Sequence, residues 1–198
     1  LAQRAAQLGY AAIAITDRNT LAGVVRMHCA AKAATIKMII GAEITPSDAP
    51  PVVLWVPDRT AYGQLSRLIT CGRRRAAKGD CRLTLADVFE HAEGLLAGVC
   101  LTTRTWDLDG PTNQPSRSKD DSSAQRPLPI AAIQAYRERF GDRGSLLVEL
   151  HHGPDDEQWL DRLQQVSQQT GLPLLAAGDV HYHIPARLPL HDVLTAIR

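Results

Sequence analysis

The feature that most constrains this chain is a rhythm of short apolar runs separated by amphipathic helix patterns. AAIAIT, KMIIGAEI, VVLWVP, GLLAGVCL, SLLVEL and LPLLAA are each six to eight residues long and almost wholly apolar. They are continuous instead of alternating, as expected of strands whose sheet is covered by helices. Helix patterns fall at 1–8, where Gly9 supplies a stop signal, and at 21–34, 61–70, 129–140 and 157–169, with a last one through HDVLTAIR. Leu1, Ala5 and Leu8 are expected to share one face of the first helix, and Val193, Leu194 and Ile197 one face of the last. Thr84 has the position of an N-cap, with Asp87 three residues on. Strands alternating with helices argue for an α/β fold, a parallel sheet or barrel.

The 198 residues suit a single domain spanning 1–198. The chain opens inside one helix pattern and closes inside another, so it is expected to be cut from something longer. A formal charge of +1 leaves no global field toward nucleic acid or an anionic surface, and no apolar run approaches the ~20 residues that span a bilayer. No membrane partner and a cytoplasmic location are the expectation. Four cysteines without a CxxC pair, Cys29, Cys71, Cys81 and Cys100, read as reduced thiols and not as a disulfide framework. The stretch 102–128 is polar, rich in Ser, Pro, Asp and Arg, and without period, so it reads as a disordered surface insertion. GRRRAAKGDCR clusters Arg73, Arg74, Arg75, Lys78 and Arg82 near a helix end. Such a cluster can meet phosphate, but a solvated face is the commoner reading and is preferred.

Ligands of parallel α/β folds gather at the carboxyl ends of the strands. Those ends deliver Asp17 and Arg18, Glu43, Cys100, Glu149 with His151 and His152, and Asp179, His181 and His183. Carboxylates and imidazoles together suit Zn or Mn. Each residue also has an ordinary reading: Asp17 as a cap for the helix near Leu21, Glu43 as partner of a surface base, His152 as a loop residue, Cys100 as a core thiol. Only the recurrence at several strand ends raises a metal site to even terms with these.

Three segments carry a resemblance: AAIAITDRNTLAGVVRMHCAAKAATIKMIIGAEITP, VVLWVPDRTAYGQLSRLIT and LLAAGDVHYHIPARLPLHDVLTAIR. They resemble the N-terminal PHP (polymerase and histidinol phosphatase) domain of bacterial DNA polymerase III alpha-type, C-family enzymes, with ITDRN, GAEITP and CRLTLADVFEHAEGLLAGV resembling the error-prone branch. The resemblance implies a distorted (β/α)7 barrel of PHP type, its first strand missing from this fragment. It also implies a rim able to hold two or three metal ions. Carried over residue by residue, Asp17, Glu43, Asp179 and His181 match ligand positions and Cys100 matches plausibly.

The departures are as informative. The opening His-x-His of metal-competent members has no counterpart here, Arg18 stands where a ligand His is expected, and Pro51 falls about where another would lie. A guanidinium cannot lose its proton in a protein and cannot ligate a cation, but it can hold carboxylates by charge-assisted hydrogen bonds. The resemblance therefore implies a degenerate site, with Zn or Mn binding weakened or lost. The parent would be an error-prone DNA-directed DNA polymerase, a nucleotidyltransferase of DNA repair and translesion synthesis, using Mg on palm carboxylates outside this chain. Its partners would be DNA and accessory proteins of mutagenic repair synthesis. This fragment would brace the polymerase and be inactive alone. The rival is a metal-dependent PHP phosphoesterase, a nuclease or phosphatase, with the same four residues as ligands; a pure interaction module is a third class.

Overall fold

The computed structural model describes residues 1–101, 129–150 and 153–197. The expected disordered insertion at 102–128 and the pair His151–His152 lie outside the described residues. In chain order the elements are α1 (Ala2–Gln7), β1 (Ala12–Ile15), α2 (Val24–Ala33), β2 (Lys37–Ile44), β3 (Val52–Val56), α3 (Arg59–Arg74), α4 (Leu85–Glu90), β4 (Leu96–Val99), α5 (Ile130–Phe140), β5 (Gly144–Glu149), α6 (Asp156–Thr170), β6 (Leu174–Ala177) and α7 (Leu188–Ala196). The six strands form one sheet in the order β1-β2-β3-β4-β5-β6, curled as half of a barrel.

One strand departs from the expected parallel sheet. β1 pairs parallel with β2, and β4, β5 and β6 run parallel to one another, but β3 is antiparallel to both β2 and β4. The cause is the connection: a parallel crossover needs about a dozen residues or more, and the Pro-rich segment between Ile44 and Val52 is shorter than that. The reversal sends the start of β3, not its end, to the rim where the other strands finish. Cys100 N donates to Pro51 O at 2.8 Å across that rim.

Successive side chains of a strand face opposite sides, and here the two sides have different cores. Outward, Ala42, Ile44, Val52, Leu54, Ala97, Val99 and Leu146 join Leu65, Leu68, Ile133, Tyr136 and Leu163 from the helices in the main cluster. Inward, Val53, Cys100 and Leu147 form a small second cluster with Trp55 and Ala177 against it. Trp55 fits inside because two strands carry glycine beneath it. A Cβ on Gly98 would stand 2.6 Å from Trp55 Cη2, and one on Gly41 would stand 3.0 Å from Trp55 Cδ1.

Two elements are packed otherwise than the sequence suggests. α1 buries Ala2 and Ala5 against α2, while Leu1 and Leu8 stay exposed; the small side chains allow the close approach. β6 is an edge strand with Leu174 and Leu175 exposed, and Val193, Leu194 and Ile197 of α7 face solvent. The expectation of a fully covered sheet therefore fails at this edge.

α4 shows how a local signal becomes a tertiary tie. The Thr84–Asp87 capping box forms, with Asp87 N donating to Thr84 Oγ1 at 3.4 Å and Thr84 N to Asp87 Oδ2 at 2.9 Å. Arg75, just past the end of α3, donates through Nη1 to both Asp87 oxygens at 2.7 Å. Burial pushes the Asp87 carboxyl up, but the hydrogen bonds from Arg75 and Thr84 outweigh it and hold the pKa below its ordinary value. A carboxylate shifted this way contributes stability that is complete above its unfolded pKa, near ~4, and is lost as pH falls through the lower folded value. Asp87→Ala should lose cap and ion pair together, about 2 kcal/mol, lowering Tm by roughly 4–8 °C at pH 7. Thermal melts should show this gap narrowing below pH 4; a pH-independent gap would contradict it.

Candidate functional site

The rim is built from the residues that follow the inward-facing positions of each strand. Past β1 the backbone keeps pairing with β2: Glu43 N donates to Asp17 O at 3.2 Å and Asn19 N to Glu43 O at 2.8 Å, with an isolated parallel bridge between Arg18 and Glu43. Asn19 adopts a left-handed conformation, φ 51°, which Asn tolerates better than most residues. Its side chain locks the turn, Thr45 N donating to Asn19 Oδ1 at 3.1 Å and Asn19 Nδ2 to Thr45 Oγ1 at 2.6 Å. From α3, Arg73 donates to Asn19 O through Nη2 at 2.9 Å and Nε at 3.2 Å, and through Nη1 to Gly79 O at 2.6 Å. Arg73 is thus a clamp on the rim loop and not part of a solvated face.

Asp17 serves as the cap that its ordinary reading foresaw. Its Oδ2 accepts from Gly23 N at 2.9 Å, at the N-terminus of α2. A Cβ at residue 23 would run into that carboxylate and stand 2.7 Å from Ile15 Cδ1, so the cap requires glycine there. Glu43 accepts from Arg18 Nε at 3.1 Å. The Arg18 side chain is 66% exposed and that of Glu43 23%, so the pair adds little stability, about 0–1 kcal/mol. What it supplies is a positive charge directly on the rim carboxylate.

Cys100 lies inward on the same rim, buried, its thiol 3.7 Å from Gly98 O. Burial drives its pKa well above that of a free thiol, and the carboxylates of Glu149, Glu43 and Asp179 push the same way. Carboxylates from β2, β5 and the turn after β6 thus all bear on one thiol. After β6, Asp179 sits at φ 39° and its Oδ2 lies 3.1 Å from His181 Nε2, both side chains about half exposed. The His181 ring packs against His191 of α7 at a centroid distance of 4.9 Å. His183 is exposed and lines the same shallow pocket as His181 and His191. Among the described residues no three His, Cys, Asp or Glu side chains are grouped closely enough to share an ion.

The structure therefore brings Glu43, Cys100, Glu149 and Asp179 into one electrostatic neighbourhood, commits Asp17 to a helix cap and pairs His181 with Asp179. Sequence reasoning passed over Asn19 and took Arg73 as part of a solvated basic cluster. Asn in ITDRNT was a turn signal that could have marked the first; nothing local marked the second, whose partner is 54 positions away.

A curled sheet with helices outside and acids on its inner rim defines an incomplete α/β barrel. Residues 1–152 match the sequence profile of the PHP domain, and the chain belongs to that family. The whole chain is 44% identical to an error-prone DNA polymerase of Rhodopirellula baltica, covering 16% of that protein, and 42% identical to an error-prone DNA polymerase of Dechloromonas aromatica, covering 18% of it. It thus spans less than a fifth of these relatives. Among solved structures it is similar to a candidate metal-dependent phosphoesterase from Bifidobacterium adolescentis, at a TM-score of 0.59 and 15% identity over 93% of this chain and 82% of that one. That likeness supports the barrel fold.

The burial of Cys100 predicts its chemistry. With iodoacetamide at pH 8, exposed Cys29 should be modified in the native protein while Cys100 stays unmodified until denaturant is added, as peptide mass mapping would show. Alkylation of native Cys100 at the rate of Cys29 would contradict this placement.

Proposed function

We propose that the chain is the PHP domain of an error-prone DNA-directed DNA polymerase and that it serves there as a structural brace with a degenerate metal rim. The observation that carries the first half is identity of 42–44% along the entire chain to proteins of that name. On this reading the parent extends primers on DNA in the cytoplasm by nucleotidyl transfer during damage-tolerant repair synthesis. Its Mg would be bound outside these residues, with accessory proteins of the same process as further partners. No helix among the described residues is long and apolar enough to cross a membrane.

The second half rests on the chemistry of the donor set. Asp17, Glu43, Cys100, Asp179 and His181 are the residues that a PHP metal would use, and they do not fit one as they stand. Arg18 places a fixed positive charge on Glu43 and Asp17 faces a backbone amide. The phosphoesterase alternative would require these groups to be released first, and nothing in the geometry favours it.

Two assays divide the readings. The full-length protein should extend a primed template with Mg, while this chain should not hydrolyse bis(p-nitrophenyl) phosphate with Mn, Zn or Co. Metal-stimulated hydrolysis by the chain, with no extension by the full-length protein, would reverse the assignment.

A further inference from the structure

The segment from Arg59 to Arg82 carries seven basic residues and one acid, Asp80, in a chain whose formal charge is only +1. The remainder is net acidic, so the positive charge of this protein is concentrated on α3 and the loop after it. Two of the seven are structural: Arg73 clamps the rim loop and Arg75 is bound to Asp87. Among the described residues no side-chain hydrogen bond or ion pair engages Arg59, Arg67, Arg74, Lys78 or Arg82, and all five are exposed.

Their placement is ordered. α3 contains no Asp or Glu, so no i,i+4 acid neutralises its arginines. Leu65, Leu68, Ile69 and Gly72 are buried on one side, and the other side forms an open groove lined by Ser66, Arg67, Thr70, Cys71, Arg74 and Arg75. At 1.5 Å rise per residue, Arg67 and Arg74 are about 10 Å apart along the helix. Thr70 lies between them in sequence, its hydroxyl donating to Ser66 O at 2.7 Å. A cationic groove with no acid in its lining suits a polyanion.

We propose that this face of α3 binds the phosphodiester backbone of DNA, with Arg67 and Arg74 as the central phosphate contacts. The choice of DNA as the polyanion rests on the polymerase reading above; the charge segregation and the groove do not. Arginine suits the role because its planar fork donates to two phosphate oxygens at once. Contact to phosphate without contact to bases gives sequence-independent affinity that falls with salt.

The test uses the full-length protein and a fluorescein-labelled single-stranded oligonucleotide, with anisotropy titrations across a salt series. R67A/R74A should weaken binding about tenfold at low salt and reduce the slope of log K against log salt by roughly 1.4, the value for two phosphate contacts on a single strand. R67K/R74K should keep most of the slope, and primer extension at saturating DNA should be unchanged in both variants, since the polymerase Mg is placed outside these residues. An unchanged slope for R67A/R74A in a polymerase that still extends primers would overturn the proposal while leaving the polymerase reading intact. Loss of slope in a protein that extends no primer would support the groove and sink the polymerase reading.

Discussion

The rim of this barrel brings like charges near one another. Glu43, Glu149 and Asp179 act on the same buried thiol, and carboxylates that converge repel one another unless a positive charge intervenes. In a metal-binding barrel an ion supplies it. Here a covalently attached cation stands at the rim: Arg18 follows β1 directly and reaches Glu43 at 3.1 Å. On the reading proposed above, the exchange of ion for arginine has a physical consequence. An ion can leave, and its departure would open the rim, whereas a guanidinium is always charged and always present.

The surrounding contacts make sense as support for that cation. The Arg18 backbone is fixed by pairing on both sides, Glu43 N to Asp17 O and Asn19 N to Glu43 O. Asn19 sets the turn, and Arg73 ties its carbonyl to α3. The next arginine but one, Arg75, secures α4 through Asp87. A single helix end therefore holds both the rim loop and the following helix, and the exposed arginines of α3 are left for a different purpose. On the inner face, Gly41 and Gly98 leave the volume that Trp55 fills beneath the rim, so the floor of the site is apolar and packed.

Much of the fold was legible because its signals were local. All six apolar runs became strands, KMIIGAEI residue for residue, and the Thr84–Asp87 spacing became a real capping box. The reversed direction of β3 was legible only through the shortness of the segment before it. The misread face of α1 has a different cause: Ala2 and Ala5 are buried because they are small, while the pattern gave weight to the larger Leu1 and Leu8. At the site, the ligand-type residues could be read from strand ends, but their commitments could not. That Asp17 caps α2, that Arg18 holds Glu43 and that Arg73 is a clamp all depend on contacts distant in sequence or on the direction of a side chain.

Whether Arg18 stands in for a metal ion at the rim can be read from the thermal response of this chain to Mn and Zn beside that of Arg18→His. The unmutated chain should keep its Tm as either metal is titrated, while Arg18→His should melt lower without metal and recover stability with it. Binding to the folded state at a hundredfold excess over Kd would contribute about 2.7 kcal/mol, a shift of several degrees. A saturable, metal-dependent rise in the Tm of the unmutated chain, reversed by chelator and absent in Glu43→Gln, would contradict this role for Arg18.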